Sequence, residues 1–388
     1  MTKDRMVWID GLRLIAGVSM VGLHASSDIN GQPFPDFSTW ERTGPVMFRS
    51  IMYLARTELF IIISLFLLFM SLDARPRGYG SVIIEQSKRL LRPFLFWVVF
   101  YAFYRLLKAH FFGYEDAIWA QLSNPLSWLG YIFLGDVQYH MHFLPTLFGL
   151  ILFYPVCRIA IEKPWIGALV FLCLFVKHEV DIWLWAHSNI IPATDYLVRF
   201  VKILTYLGYG FVAAAGLGIY KHIGTKGGLY PYLNMILFTG VFLYMLKLVY
   251  SFRVIQFGNW QYNYAPGFWA DFLMPVILFF LFMSSQQINR FSWLSRLAPY
   301  SFGIYLVHPI FLDIAEIALW KTDLSPIAFV LLKATWAVSM ASITVAAISN
   351  TSWLGWTIGL GAFPNISQIS RFARSKSAET VTGVNDEL

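Results

Sequence analysis

Charge is what this sequence has least of. Of its 388 residues, 13% are Asp, Glu, Lys or Arg, about half the share of an ordinary soluble domain. Hydrophobic residues make up 57% and aromatics 18%. That balance excludes a soluble enzyme of this length. The apolar runs recur along the whole chain, which also excludes a soluble protein on a single anchor. Cysteine is nearly missing: Cys157 and Cys173 both fall in apolar runs, so no disulfide or thiolate metal framework is implied. No basic residues gather into one soluble patch. The net charge of +7 sits at the ends of apolar segments, which argues against nucleic acid as a partner and reads as membrane topology. No internal repeat and no second soluble domain is visible. No cleavable leader is expected, because Arg13 lies inside the first apolar run, unlike the uncharged core of a signal peptide.

What is present is an all-α, polytopic membrane pattern. At roughly 20 residues per span, about ten segments emerge: 8–26, 48–72, 93–111, 143–160, 165–185, 199–220, 230–250, 268–285, 299–320 and 326–348. The fifth is interrupted by Lys177-His178-Glu179-Val180-Asp181 and reads as a short, bent or re-entrant helix. Positive residues set the orientation. Lys3, Arg5, Arg75, Arg77, Lys88, Arg89, Arg92, Arg158, Lys163, Lys221, Lys226, Arg290, Arg296, Arg371, Arg374 and Lys376 all fall on one side, which predicts N-in and C-in termini. Residues 1–350 form one transmembrane domain, and 351–388 a polar, Ser-rich cytoplasmic tail expected to be partly disordered. The outer loops mix aromatic rings with amides, most densely over 257–264. That mixture suits either sugar binding or an interfacial aromatic belt.

Ionisable residues within spans are costly and point to function. Asp10, Arg13 and His24 share the first span. Arg13 and His24 are eleven positions apart, about three turns and a rise of roughly 16 Å, so they face the same side at different depths. His24 can handle a proton or act as a nucleophile. Arg13 can hold an anion or a developing oxyanion, and Asp10, one turn earlier, can orient it. The bland alternative is a polar contact between helices. In the next inner loop, Arg89 and Arg92 lie three apart on a short amphipathic stretch expected to end at Pro93. There a helix N-terminus would add positive potential for the phosphates of a cofactor; the alternative is a topology signal against anionic lipid. Glu58 and Ser64 sit in the second span. His140 and His142 are two apart and do not share a helix face, with no further ligand at metal spacing, so no metal is expected. His142 is read as near a substrate. Ser301, Tyr305 and His308 fall at i, i+4 and i+7, one polar stripe in an apolar span.

Taken in order, these motifs resemble the membrane-bound acyltransferase 3 family. The family's Arg, ten residues, His is met by Arg13 and His24. Its Arg-x-x-Arg is met by Arg89 and Arg92, and its FFxxSG-like segment by Leu59 to Leu65 with Ser64. Its Ser-Tyr-Gly-x-Tyr-Leu-x-His is met by Ser301 to His308, and its Trp-Phe-Leu-like element by His142-Phe143-Leu144. Leu65 replaces the usual Gly, and His142 stands where Trp is common. The resemblance covers 8 to about 348. It implies an enzyme of a bacterial inner membrane that moves an acyl group, succinyl or acetyl, from cytoplasmic acyl-CoA to a hydroxyl of a glycan. The length resembles the branch that decorates periplasmic glucans. It further implies His24, Arg13 and Asp10 as catalytic, with His24 as base or nucleophile. Arg89 and Arg92 would hold coenzyme A phosphates, and Glu58, His142, Ser301, Tyr305 and His308 would face substrate. Two other classes fit the intramembrane charges: a transporter of a glycan precursor or organic anion, and a non-catalytic partner in glycan assembly.

Overall fold

The computed structural model of the chain describes residues 6–363 except 192, 224–228, 263, 285–292, 352 and 362. Among them there is no strand. In hydrocarbon every backbone N–H and C=O must be bonded within its own segment, which a helix achieves. The principal helices are α1 Val7–Ala25, α2 Thr39–Met52, α3 Thr57–Ala74, α4 Tyr79–Phe112, α5 Phe143–Leu152, α6 Leu169–Ala186, α7 Thr194–Ile223, α8 Leu233–Phe257, α9 Ala265–Ser284, α10 Ser301–Leu319 and α11 Pro326–Ser349.

Among the described residues, eight stretches are long and apolar enough to cross a bilayer. A ninth is gained if α5 and the following Tyr154–Glu162 are one broken span. The expected count of about ten included α6, which forms as an unbroken helix but carries Lys177, Glu179 and Asp181. The bend expected there lies one segment earlier, 66° between α5 and Tyr154–Glu162. Pro155 supplies the cause, since it cannot donate to the carbonyl four residues back. Of the orientation markers, Lys3, Arg5, Lys226, Arg290, Arg371, Arg374 and Lys376 lie outside the described residues.

Two further expectations are corrected. The second span is two helices, and α2 already starts in what reads as loop, behind a capping box in which the Ser38 hydroxyl and the Glu41 carboxylate each receive the other's backbone N–H. The helix start expected at Pro93 does not exist: α4 runs straight through it. An interior proline costs about 3 kcal/mol in an isolated helix; here the flanking apolar turns pack on both sides of it, with Leu90 and Phe94 both buried.

α7 is the hub, packed against α6, α3 and α5, while α1 lies against α10, α11 and α3. Thr357 and Ile358, beyond residue 350, are part of this body. Trp97 Nε1 donates to the Thr357 carbonyl at 2.8 Å, and Ile358 is fully buried. The expected domain boundary at 350 therefore falls inside packed structure. The disorder expected for 364–388 lies outside the described residues.

Candidate active site

α1 and α10 run side by side, and each brings one polar residue to a cavity and another beyond it. The cavity has a volume of about 360 Å³. On α3 its wall is Phe60, Ser64, Leu67, Leu68 and Ser71, a helical stripe extending roughly 16 Å. Arg77, Glu85 and Arg89 stand at the Ser71 end, Arg13, Ser64 and Ser301 line the cavity between, Phe60 and Phe143 stand at the other end, and Phe302 lies against Gly359. Arg77 donates to Glu85 and, at 3.2 Å, to the Ser71 hydroxyl. Gly359 and Leu360 complete the wall.

Arg89 and Arg92 are not held together. Three residues on a helix leave a 60° divergence. Arg92 is exposed, with its guanidinium 4.9 Å from the Phe363 ring, and lines no part of the cavity. Arg77 takes the second place at the mouth. It was legible only as a basic loop residue.

Beyond the Phe60 end lies a layer of rings. Phe143 and Tyr305 meet edge to face with centroids 5.4 Å apart, and Phe60 lies 6.2 Å from each. The buried Tyr305 hydroxyl donates to the His140 carbonyl. On the far side of this layer sits His24, half-buried. Its ring is 4.3 Å from that of Tyr139 and stacked on His308 at 5.5 Å. Tyr139 is 44% exposed, so His24 approaches the surface opposite the cavity mouth. The stripe Ser301, Tyr305, His308 thus runs from the cavity, through the ring layer, to the imidazoles. Arg13 and His24 do the same on α1, but they do not share one cavity.

Local backbone chemistry fixes these groups. Pro309 cannot bond the Tyr305 carbonyl, and His308 Nδ1 takes it at 2.8 Å. The Nδ1 proton is thereby committed. That leaves the lone pair on Nε2, which is buried with no hydrogen-bond partner among the described residues. The Tyr101 hydroxyl donates to the Leu306 carbonyl at 2.6 Å. Gly135 lets the Tyr139–His142 segment fold back: its φ is +70°, and a Cβ there would sit 2.6 Å from His142 Cα. His140 is buried among the Tyr101, Tyr305 and His308 rings. Burial, followed by the neighbouring His308 and His24, holds its pKa well below the usual imidazole value.

The end of α1 is tied down by groups the sequence reading passed over. Arg49 donates to the Leu23 carbonyl at 2.9 Å and the Ser26 hydroxyl at 3.0 Å. The fully buried Lys333 donates to the Ser27 carbonyl at 2.8 Å and to Glu316 Oε1 at 2.9 Å. Lys108 in turn pairs with both Asp313 and Glu316. Two intramembrane acids three residues apart on α10 were the available signal.

The remaining candidates stand elsewhere. Asp10 is buried on α1, one turn before Arg13. Glu58 is buried away from the cavity, accepting from the Tyr206 hydroxyl at 2.6 Å with Arg56 Nε 3.4 Å away. His142 caps α5, its carbonyl accepting from Thr146 at 2.9 Å and Arg199 at 3.3 Å. Among the described residues no group of three or more His, Cys, Asp or Glu is placed to hold a metal.

A family model described as an acyltransferase domain matches residues 6–359. The match takes in the imidazole group and all of the cavity wall but Leu360. No curated protein and no solved structure matches the chain.

Proposed function

The chain belongs to the membrane-bound acyltransferase 3 family, and from that premise we propose that it moves a succinyl or acetyl group from cytoplasmic acyl-CoA to a hydroxyl of a glycan, a periplasmic glucan, across a bacterial inner membrane. One observation carries the reading. Arg13, Arg89 and Ser301 line a single cavity whose closed end is separated from His24 and His308 by one layer of rings.

The cavity's chemistry suits the donor. Arg77 and Arg89 at the mouth offer guanidinium forks to phosphates. Leu67, Leu68, Leu147 and Ile151 offer an apolar wall to a long, uncharged arm. The donor brings a thioester, and Arg13 presents N–H groups where its carbonyl oxygen gains negative charge, while the Ser301 hydroxyl beside it donates to the Ala298 carbonyl at 2.8 Å. The acceptor approaches past Tyr139. His24 takes the proton of its hydroxyl as the oxygen attacks the acyl carbon, a C–O bond forms, the C–S bond breaks, and the proton is returned to the leaving thiolate. His308 stacks on His24 and offers Nε2 as an acceptor that holds the working imidazole or the hydroxyl in place. The ring layer keeps water from the thioester until the acceptor is present, and Phe60 and Phe143 must turn aside for transfer.

The test is His24→Ala, in vesicles with labelled donor. Transfer is expected to fall by about 10²–10⁴-fold, the usual worth of a general base, with membrane insertion unchanged. Transfer at the unmodified protein's rate would remove His24 from the reaction.

A further inference from the structure

A second concentration of charge lies within the bundle, apart from the cavity. Lys177 pairs with Asp181, Lys247 with Asp271 at 2.6 Å, and Arg56 with Glu58. Arg199 donates to the Leu134 carbonyl and to the Thr146 hydroxyl. Lys202 differs from all of these: among the described residues its ammonium makes no hydrogen bond and no ion pair. It lies over the Tyr206 ring, 5.2 Å from Nζ to centroid. Lys177 stands at 5.8 Å from that same ring, and the Tyr206 hydroxyl is occupied by Glu58.

The charges do not balance. Among the described residues, the carboxylates paired within the group of Arg56, Lys177, Arg199, Lys202 and Lys247 are Glu58, Asp181 and Asp271. Asp136, which lies beyond the spans and acts on Arg199, still leaves one positive charge over. An uncompensated ammonium within a bilayer span is costly, and such groups mark ligand paths. Lys202 is not sealed in. It keeps part of its surface accessible, although the groups acting on it, Arg199, Glu58, Lys177 and Arg56, lie on α3, α6, α7 and the turn before α3 rather than in lipid. Arg199, three residues earlier on α7, donates to the carbonyl of His142 at 3.3 Å, two residues from His140 in the imidazole group. The partly exposed Lys202 therefore stands about one helical turn from a contact with the imidazole segment.

We propose that Lys202, with Arg199 and Lys177, forms an oxyanion-binding subsite beside the imidazole group, taking either the free carboxylate of a dicarboxylic acyl group or a phosphate carried by the acceptor. The subsite rests on the acyl-transfer reading for its role, though not for its existence. An ordinary acetyl group has nothing to offer it. Its presence makes one of the two substrates anionic at a point remote from the bond that is made.

The test uses the full-length protein in nanodiscs at constant ionic strength. Melting temperature is followed with sodium succinate, inorganic phosphate or sodium chloride, for the unmodified protein, Lys202→Met and Lys202→Arg. Succinate or phosphate should raise the melting temperature of the unmodified protein and of Lys202→Arg but not of Lys202→Met. Succinate as the active anion identifies the acyl carboxylate; phosphate identifies the acceptor. In the first case the ratio of kcat/KM for succinyl-CoA to that for acetyl-CoA falls at least about tenfold in Lys202→Met, the worth of one charge-assisted hydrogen bond. In the second, the same ratio falls for phosphate-bearing against neutral acceptors. No rise with either anion, or an equal rise in Lys202→Met, overturns the subsite. A Lys202-dependent rise in a protein that transfers from no acyl-CoA upholds the subsite and sinks the donor reading instead.

Discussion

Lys333 offers a way to weigh structural support against chemistry. Its ammonium is fully buried and has two partners, the Ser27 carbonyl and Glu316. Lys108, Lys333, Asp313 and Glu316 form a group of two cations and two carboxylates. Lys333→Met preserves side-chain length and removes one positive charge, leaving a carboxylate buried without full compensation. Breaking a buried pair from one side costs about 3–5 kcal/mol. Glu316→Gln should cost a similar amount by leaving an ammonium over. The double variant restores neutrality, and neutral replacement of a buried pair is often nearly free, so the two losses should couple by about 3 kcal/mol or more. Denaturant titration in mixed micelles, followed by tryptophan fluorescence, measures the cycle. Activity should behave differently. Ser27 follows His24 by three residues, and the double variant still lacks the bond from Lys333 to Ser27. Stability should therefore return in the double variant while transfer stays low. Coupling below about 0.5 kcal/mol, the scatter of independent sites, would refute the ionic accounting. Full recovery of transfer would show that Lys333 does not place His24.

Arg77→Gln and Arg89→Gln should each raise KM for acyl-CoA about tenfold by removing one charged contact, while Arg92→Gln changes it by less than about twofold; steady-state kinetics with saturating acceptor decide this, and a large effect at Arg92 would move the phosphate seat. Phe143→Ala should cost about 3–5 kcal/mol of stability and allow acyl-CoA hydrolysis without acceptor, seen as free thiol release; a sealed thioester in that variant would deny the ring layer its role. Burial depresses the pKa of His140, so the folded form binds its proton less readily than the unfolded chain. The stability involved is complete above the unfolded value of about 6.5 and drains away as pH falls from there toward the depressed folded value. Melting curves between pH 8 and 5 should show that loss, and His140→Gln should make it smaller.

The helical character and most spans were legible because low charge and recurrent apolar runs leave a bilayer chain few alternatives. Pattern reading failed where one residue type has two outcomes. Pro93 reads as a helix start but lies inside α4, whereas Pro155, unremarked, bends the chain. The polar stripe of α10 and the shared face of Arg13 and His24 follow from helical period alone. Which of these residues share a void does not, because the ring layer is built from Phe60, Phe143 and Tyr305 on three separate helices. Lys333 was hidden for the same reason: its partners are 17 and 306 residues away in sequence. The Lys202 group draws on α3, α6 and α7, a convergence no local window contains.

The turn at Gly355–Ile358 has a bearing on biogenesis. The wall of the cavity takes in both Arg13 and Ile358, Gly359 and Leu360, almost the full length of the chain apart. A ribosome releases the first of these long before the last. During synthesis Arg13 and Ser64 lack their closing neighbours, and the pocket can take shape only when the final stretch docks on Trp97. On the proposed reading, a chain that lacks this stretch should not bind the acyl donor, and docking of the last turn is a late event in its assembly.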